Sequence, residues 1–318
     1  MTAPNSLVAN FKQVSPNVQG ICFLVLGMFI LTLQNVAIRF IQDGYAVLEI
    51  VTVRSIIAIP LTLLFYRYEG QRGLPHTNRG WLQFARGFLL FVAYTTYFMG
   101  LAAITLADAA AIRFASPLFI TFLSVVILGE AVGIRRWFSL LVGFAGVLLI
   151  IQPGASNFNL GTLFILTTSI LYALSAIITR QLRSTDSSAT MSYFSTLVYL
   201  ISALIIAPLV AFVGESTTMH PSIAFLFRAW AVPSLTDFAV MVALGFIWSS
   251  GMYCVAKAYS TAQASVAAPF EYMVLPINVM WGFMLWRETP TIFTWLGSAL
   301  TVVSGLYILY RDQVRQKK

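Results

Sequence analysis

The stretch GICFLVLGMFILTLQNVAIRFI, Gly20–Ile41, carries one charged residue, Arg39, near its end. A run of about 20 apolar residues, wound as a helix, crosses a hydrocarbon core about 30 Å thick. Comparable runs recur down the chain, over 45–66, 82–102, 107–128, 137–152, 161–180, 191–213, 237–258, 265–286 and 291–310. The pattern predicts an all-α integral membrane protein with ten transmembrane helices. A membrane β-barrel would instead show alternating segments of about 10 residues. Composition agrees: 59% of the 318 residues are hydrophobic and 9% are charged, against about 25% charged in a soluble domain. So apolar a chain excludes both a soluble enzyme and a disordered one.

The net charge of +8 does not indicate nucleic acid, because its placement follows the membrane. With the N-terminus on the cytoplasmic side, Lys12, Arg67, Arg72, Arg79, Arg135, Arg136, Arg180, Arg183, Arg311, Arg315, Lys317 and Lys318 all fall inside. Only Arg228 and Arg287 fall in outside loops. Positive residues mark cytoplasmic loops, so both termini are expected to be cytoplasmic and the protein multi-pass in the inner (plasma) membrane. No cleaved signal peptide is read in the first residues. Cys22 and Cys254 both lie in apolar runs, which argues against a disulfide or a metal site, and no cofactor is expected. The longest connection, 214–236, contains a stretch, Ile223–Trp230, expected to lie amphipathically at the interface.

The ten spans divide into two sets of five. Displaced by 141 residues, Gly20, Phe23, Leu33 and Arg39 fall on Gly161, Phe164, Leu174 and Arg180; displaced by 158, Ala109, Ala110, Glu130 and Trp137 fall on Ala267, Ala268, Glu288 and Trp295. Because five is odd, the second set must sit upside down relative to the first. Inverted repeats of this kind build secondary transporters. The expected organisation is a cytoplasmic tail (1–18), a first five-helix unit (19–152), a second (153–310) and a basic cytoplasmic tail (311–318).

The run PLFITFLSVVILGE (Pro117–Glu130), followed by a glycine-rich span with Gly143 and Gly146, resembles the EamA repeat of the drug/metabolite transporter superfamily. Arg54 and the pair Arg86–Gly87 resemble that family too, and APFEYMVLP (Ala268–Pro276) resembles its S-adenosylmethionine and riboflavin uptake branch. The second half departs from the pattern: its proline, Pro276, falls one position late, and Glu288 follows Arg287 rather than glycine. The resemblance implies transport of a small organic metabolite and does not fix which one.

Charges at membrane depth are costly and mark function or a structural pair. Arg54 falls near the middle of the second span. Arg113 lies roughly 9 Å from the outer face and Glu271 roughly 9 Å from the inner one, counted at 1.5 Å per residue. These last two are equivalent under the 158 displacement yet opposite in charge. Arg113 offers a fork for carboxylate or phosphate, and Glu271 a partner for an ammonium group or a coupling proton. The alternative is a structural salt bridge, which a depth difference of roughly 12 Å makes strained. Arg54 either binds substrate, pairs with Glu49 or Asp108, or hydrogen-bonds helix carbonyls and fixes packing. Arg86 and Lys257 are expected to snorkel to the inner interface, and Glu130 and Glu288 to act at helix ends. Phe114 and Tyr272 adjoin the two key charges. With Tyr94, Tyr97 and Trp248 they are the candidate rings for stacking and cation–π contact. Asn35, next to Gln34, is a polar candidate in the first span. Pro117 and Pro276 are read as kinks inside the fourth and ninth spans, suited to gating.

The chain has no HExxH, GxSxG or GxxxxGK[ST] sequence, so neither a metalloprotease-type or serine-type membrane enzyme nor a nucleotide-driven pump is indicated. The expectation is a secondary active transporter in the lipid bilayer. It would move a small polar or zwitterionic metabolite (an amino acid, S-adenosylmethionine or a riboflavin-like compound), with a proton as candidate coupling ion. The competing reading is a membrane enzyme, lipid scramblase or channel using the same polar cavity.

Overall fold

The computed structural model describes residues 14–41, 44–103, 112–113, 115–151, 160–214, 220–287 and, with gaps at 294, 298, 301 and 305, 292–307. Every regular element among them is helical. They are α1 (Pro16–Ile41), α2 (Val47–Tyr68), α3 (Gly80–Leu101), α4 (Ser116–Leu128), α5 (Ile134–Ile151), α6 (Leu160–Leu182), α7 (Ser188–Val213), α8 (Pro221–Phe227), α9 (Leu235–Thr261), α10 (Ala264–Ala267), a 3-10 stretch Ala268–Met273, and α11 (Val274–Trp286). A further apolar helix covers Trp295–Ser304. Among the described residues six helices are long and apolar enough to cross a membrane: α1, α2, α3, α6, α7 and α9. The stretch expected at the interface overlaps the seven-residue α8, which turns Ser222 and Phe225 inward.

Two expected spans differ. The run over 265–286 is not one α-helix: its first turn, α10, gives way to six 3-10 residues before α11 resumes. In the run over 107–128 the described helix begins at Ser116, and residues 104–111 and 114 lie outside the described part. Pro117 is therefore in the opening turn of α4 and Pro276 is the third residue of α11. Neither interrupts a continuous helix, as the kink reading required; an opening turn tolerates proline because its N–H groups have no intrahelical acceptor.

The most extensive helix contacts all join the chain before residue 152 to the chain after 160: α1 with α9, α3 with α6, α2 with both α7 and α9, α3 with α7, and α4 with α6. Small residues permit the closest of these. A Cβ at Gly20 would fall 2.5 Å from the Ala262 Cβ and 2.9 Å from the Ala258 carbonyl oxygen. Backbone cannot yield as a side chain does, so Gly20→Leu must part α1 from α9. We expect it to cost about 1–3 kcal/mol, the range for overpacking, read as a lowered unfolding temperature in detergent.

The C-caps of α4 and α11 explain one departure noted in the sequence. Gly129 closes α4 in the left-handed region at φ 65°, and Arg287 closes α11 at φ 54°. A side chain in that region costs about 1–2 kcal/mol. Arg287→Gly is therefore expected to raise the unfolding temperature slightly, with little change in function.

Two carboxylates tie one end of the bundle. Glu69, at the end of α2, accepts from the Ala189 N–H in the first turn of α7 (3.2 Å), from the Tyr253 hydroxyl (3.1 Å) and from Lys257 Nζ (3.4 Å). Glu130, after α4, accepts from the N–H groups of Ala264 and Ser265 (both 3.1 Å) and the Ser265 hydroxyl (2.7 Å), and it pairs with Arg180 Nε at 3.5 Å. In each case a carboxylate near a helix N-terminus stabilises the exposed N–H groups there. At the other end Glu49 accepts from the Ala231 N–H (3.2 Å), and the Tyr45 hydroxyl donates to Asp237 (2.7 Å).

Candidate functional site

Charge and aromatic rings converge where α4 and α11 begin. Met28 of α1, Tyr97 of α3, Arg113 and Pro117, and Glu271, Val274 and Asn278 line a narrow cleft of about 20 Å³. The Arg113 guanidinium carbon lies 5.1 Å from the ring centre of Tyr97, 5.6 Å from Tyr172 and 5.9 Å from Tyr94. All three distances are within cation–π range. Opposite, Glu271 is 6% exposed and accepts from the Tyr259 hydroxyl at 2.5 Å. The Tyr172 hydroxyl lies near the same carboxylate without closing a hydrogen bond.

Arg113 and Glu271 thus share one cleft, although the helix arithmetic set them at different depths. That count assumed an α-helical rise from residue 265. The 3-10 stretch Ala268–Met273 rises faster than an α-helix, which carries Glu271 further along the axis than the count allowed. The cleft lining thus includes one guanidinium and one carboxylate.

The other predicted residues separate into groups. Tyr94 and Tyr97 belong to the cage around Arg113. Tyr272 turns away: its hydroxyl donates to the Leu140 carbonyl (3.3 Å), and its ring fills the space above Gly143. Its repeat partner Phe114 lies outside the described residues, as does Asp108. Asn35 is half-buried and is not among the cleft residues. Trp248 packs at 4.9 Å on Tyr94 and 5.2 Å on Tyr199, and donates to Thr196 (3.3 Å). Arg54 stacks over Trp248 at 4.1 Å and bonds Gln34 at 2.9 Å; Glu49, one of its expected partners, is engaged at the bundle end instead.

Arg86 does not snorkel. It is 1% exposed and donates to Thr179 (2.6 Å), the Met191 carbonyl (2.7 Å) and Ser195, fastening α3 to α6 and α7. Lys257 is partly exposed and pairs with Glu69 at that end of the bundle. Sequence reading missed Tyr172, Tyr259 and Asn278. Tyrosines inside spans are ordinary anchors and packing residues, and nothing in their spacing marks those that turn toward a charge.

Among the described residues, helices long and apolar enough to cross a membrane pack around a cleft lined by a cation and an anion. The comparisons point to a transporter. Residues 18–152 match the EamA-like transporter family. The chain is 26% identical over 294 residues to the S-adenosylmethionine uptake transporter of Rickettsia prowazekii, covering 92% of this chain and 93% of that one. It is 29% identical over 281 residues to the riboflavin transporter of Vibrio cholerae, covering 87% and 88%. With the pseudopaline exporter CntI of Pseudomonas aeruginosa it shares 27% over 288 residues, covering 90% and 94%. A solved structure described as "Crystal structure of protein" superposes with a TM-score of 0.72 at 15% identity over 90% of this chain and 96% of that one, a likeness of fold alone.

Proposed function

We propose that this protein is a secondary active transporter of the inner membrane. It carries a small polar or zwitterionic metabolite, of the size and kind handled by the relatives named above, by alternating access. The observation that carries the reading is the cleft itself, with the Arg113 guanidinium in its tyrosine cage facing the Glu271 carboxylate. Arg113 holds an anionic group of the cargo. Glu271 holds an ammonium or carries a proton, as intramembrane carboxylates do in transporters. The relatives' names include both uptake and export, and one central site serves either direction according to the gradient.

Several observations support two inverted five-helix units. α4 and α11 have the same length and are displaced by the same 158 residues at both ends, each beginning just after its key charge. The helix pairs also interchange when the units are swapped: α1 with α9 becomes α6 with α3, and α2 with α9 becomes α7 with α3. A pairing that survives the swap is expected of a pseudo-two-fold axis. With the lysine and arginine bias, this reading places both termini in the cytoplasm and the Glu69 and Glu130 clamps at the inner end. Those clamps must open for the site to face inward.

The reading is tested with purified protein in liposomes, with and without a pH gradient, against amino acids, S-adenosylmethionine and riboflavin. Saturable flux of one of them is the expected result. No flux of any compound from folded protein would count against the reading. The clamp has its own test. Spin labels at Arg72→Cys and Arg183→Cys, in a background without Cys22 and Cys254, report the separation of the two units at that end. Glu130→Gln is expected to raise the population of the longer distance severalfold; an unchanged distribution would remove Glu130 from the gate.

A further inference from the structure

Beyond the cleft, α2 presents a second buried cation. Arg54 is 0% exposed. Its Nη1 donates to Gln34 Oε1 at 2.9 Å, while Nε and Nη2 are fully buried without a hydrogen-bond partner. The described residues place no carboxylate in salt-bridge range of it. Around it stand the rings of Trp248 at 4.1 Å and Tyr199 at 5.0 Å. The Tyr199 hydroxyl lies near the guanidinium and Thr95, and the hydroxyls of both Tyr199 and Thr95 are likewise buried and unpartnered. Ring faces lower the cost of burying a cation, but they cannot accept the in-plane N–H bonds left over on Nε and Nη2. Native interiors seldom keep such donors unmatched, and where they do an ion or a ligand group explains them. A guanidinium with free donors and adjacent hydroxyls fits a planar or spherical anion. The position is not isolated from the cleft: Tyr94 packs edge-on against Trp248 on one side and lies 5.9 Å from Arg113 on the other.

We propose that Arg54, with Gln34 and the hydroxyls of Tyr199 and Thr95, is an anion-binding subsite next to the Arg113–Glu271 cleft. It takes a carboxylate-like group. The inference rests on the transporter reading and sharpens it: cargo with a second anionic group, reaching past Tyr94 to Arg54, is favoured over cargo with one. The same chemistry would also accept a small inorganic anion bound beside the cargo.

The test is binding, not flux. The full-length protein in detergent is titrated with sodium chloride and, separately, with sodium acetate. Ionic strength is held constant with the bulkier isethionate, and the unfolding temperature is read. A saturable rise is expected in the unmodified protein and in Arg72→Gln, which removes an exposed cation. The apparent affinity should fall at least tenfold in Arg54→Gln and severalfold in Tyr199→Phe. The Tyr199 variant keeps the test decisive if Arg54→Gln does not fold. A response to acetate identifies the carboxylate of a cargo; a response to chloride alone identifies an inorganic ion; either supports the subsite. No saturable response in the unmodified protein, or equal responses in all variants, overturns it. Flux without an anion response would remove this subsite and leave the transporter reading intact. An anion response without flux would do the reverse.

Discussion

Arg113→Ala is expected to weaken uptake of the cargo about 100-fold in affinity while leaving the protein folded. Arg113 is the only described cation lining the cleft, and three tyrosine rings hold it in place. Truncating one partner of a buried charge contact costs about 3 kcal/mol, or roughly 100-fold in affinity. The loss should appear as a raised half-saturation concentration in the liposome assay, with an unfolding temperature near that of the unmodified protein. Arg113→Lys should recover part of the affinity, because the charge returns without the planar fork. Unchanged affinity in the alanine variant would show that Arg113 serves packing and that the cargo binds elsewhere.

Glu271→Gln separates the two roles open to the carboxylate. Gln keeps the shape and can still accept from the Tyr259 hydroxyl, but it cannot exchange a proton. If Glu271 couples transport to protons, uptake driven by a pH gradient should fall to background, while exchange of labelled for unlabelled cargo continues at a substantial fraction of its normal rate. Loss of both to the same degree would assign Glu271 to cargo binding or structure. The paired measurement is informative because the carboxylate is buried and touches both Tyr259 and the Arg113 side of the cleft. A stability effect would lower both readouts together, along with the unfolding temperature.

Much of the fold was legible because a bilayer imposes a simple rule on sequence. Backbone groups in hydrocarbon must bond within their own helix, so runs such as Gly20–Ile41 declare themselves, and α1, α2, α3, α6, α7 and α9 each fall where an apolar run lies. The candidate charges were legible for a related reason: Arg113 and Glu271 stand out against apolar neighbours, and their cost demands a partner or a function. The ninth run was misread because composition does not distinguish α from 3-10 winding. Ala268–Met273 is as apolar as its flanks apart from Glu271.

What the sequence alone determined is the class of the protein and the identity of its costly residues. Both follow from transfer free energies that depend on residue type and little on neighbours. What only the tertiary structure decided is company. It placed Arg113 and Glu271 in one cleft, turned Tyr172 and Tyr259 toward it and Tyr272 away, buried Arg86 among hydroxyls and a carbonyl, and stacked Arg54 on Trp248. These outcomes depend on helix rotation and on contacts between residues far apart in the chain, such as Trp248 with Thr196 and Arg54 with Trp248. A local pattern fixes which face of a helix is polar, but not which distant helix meets it.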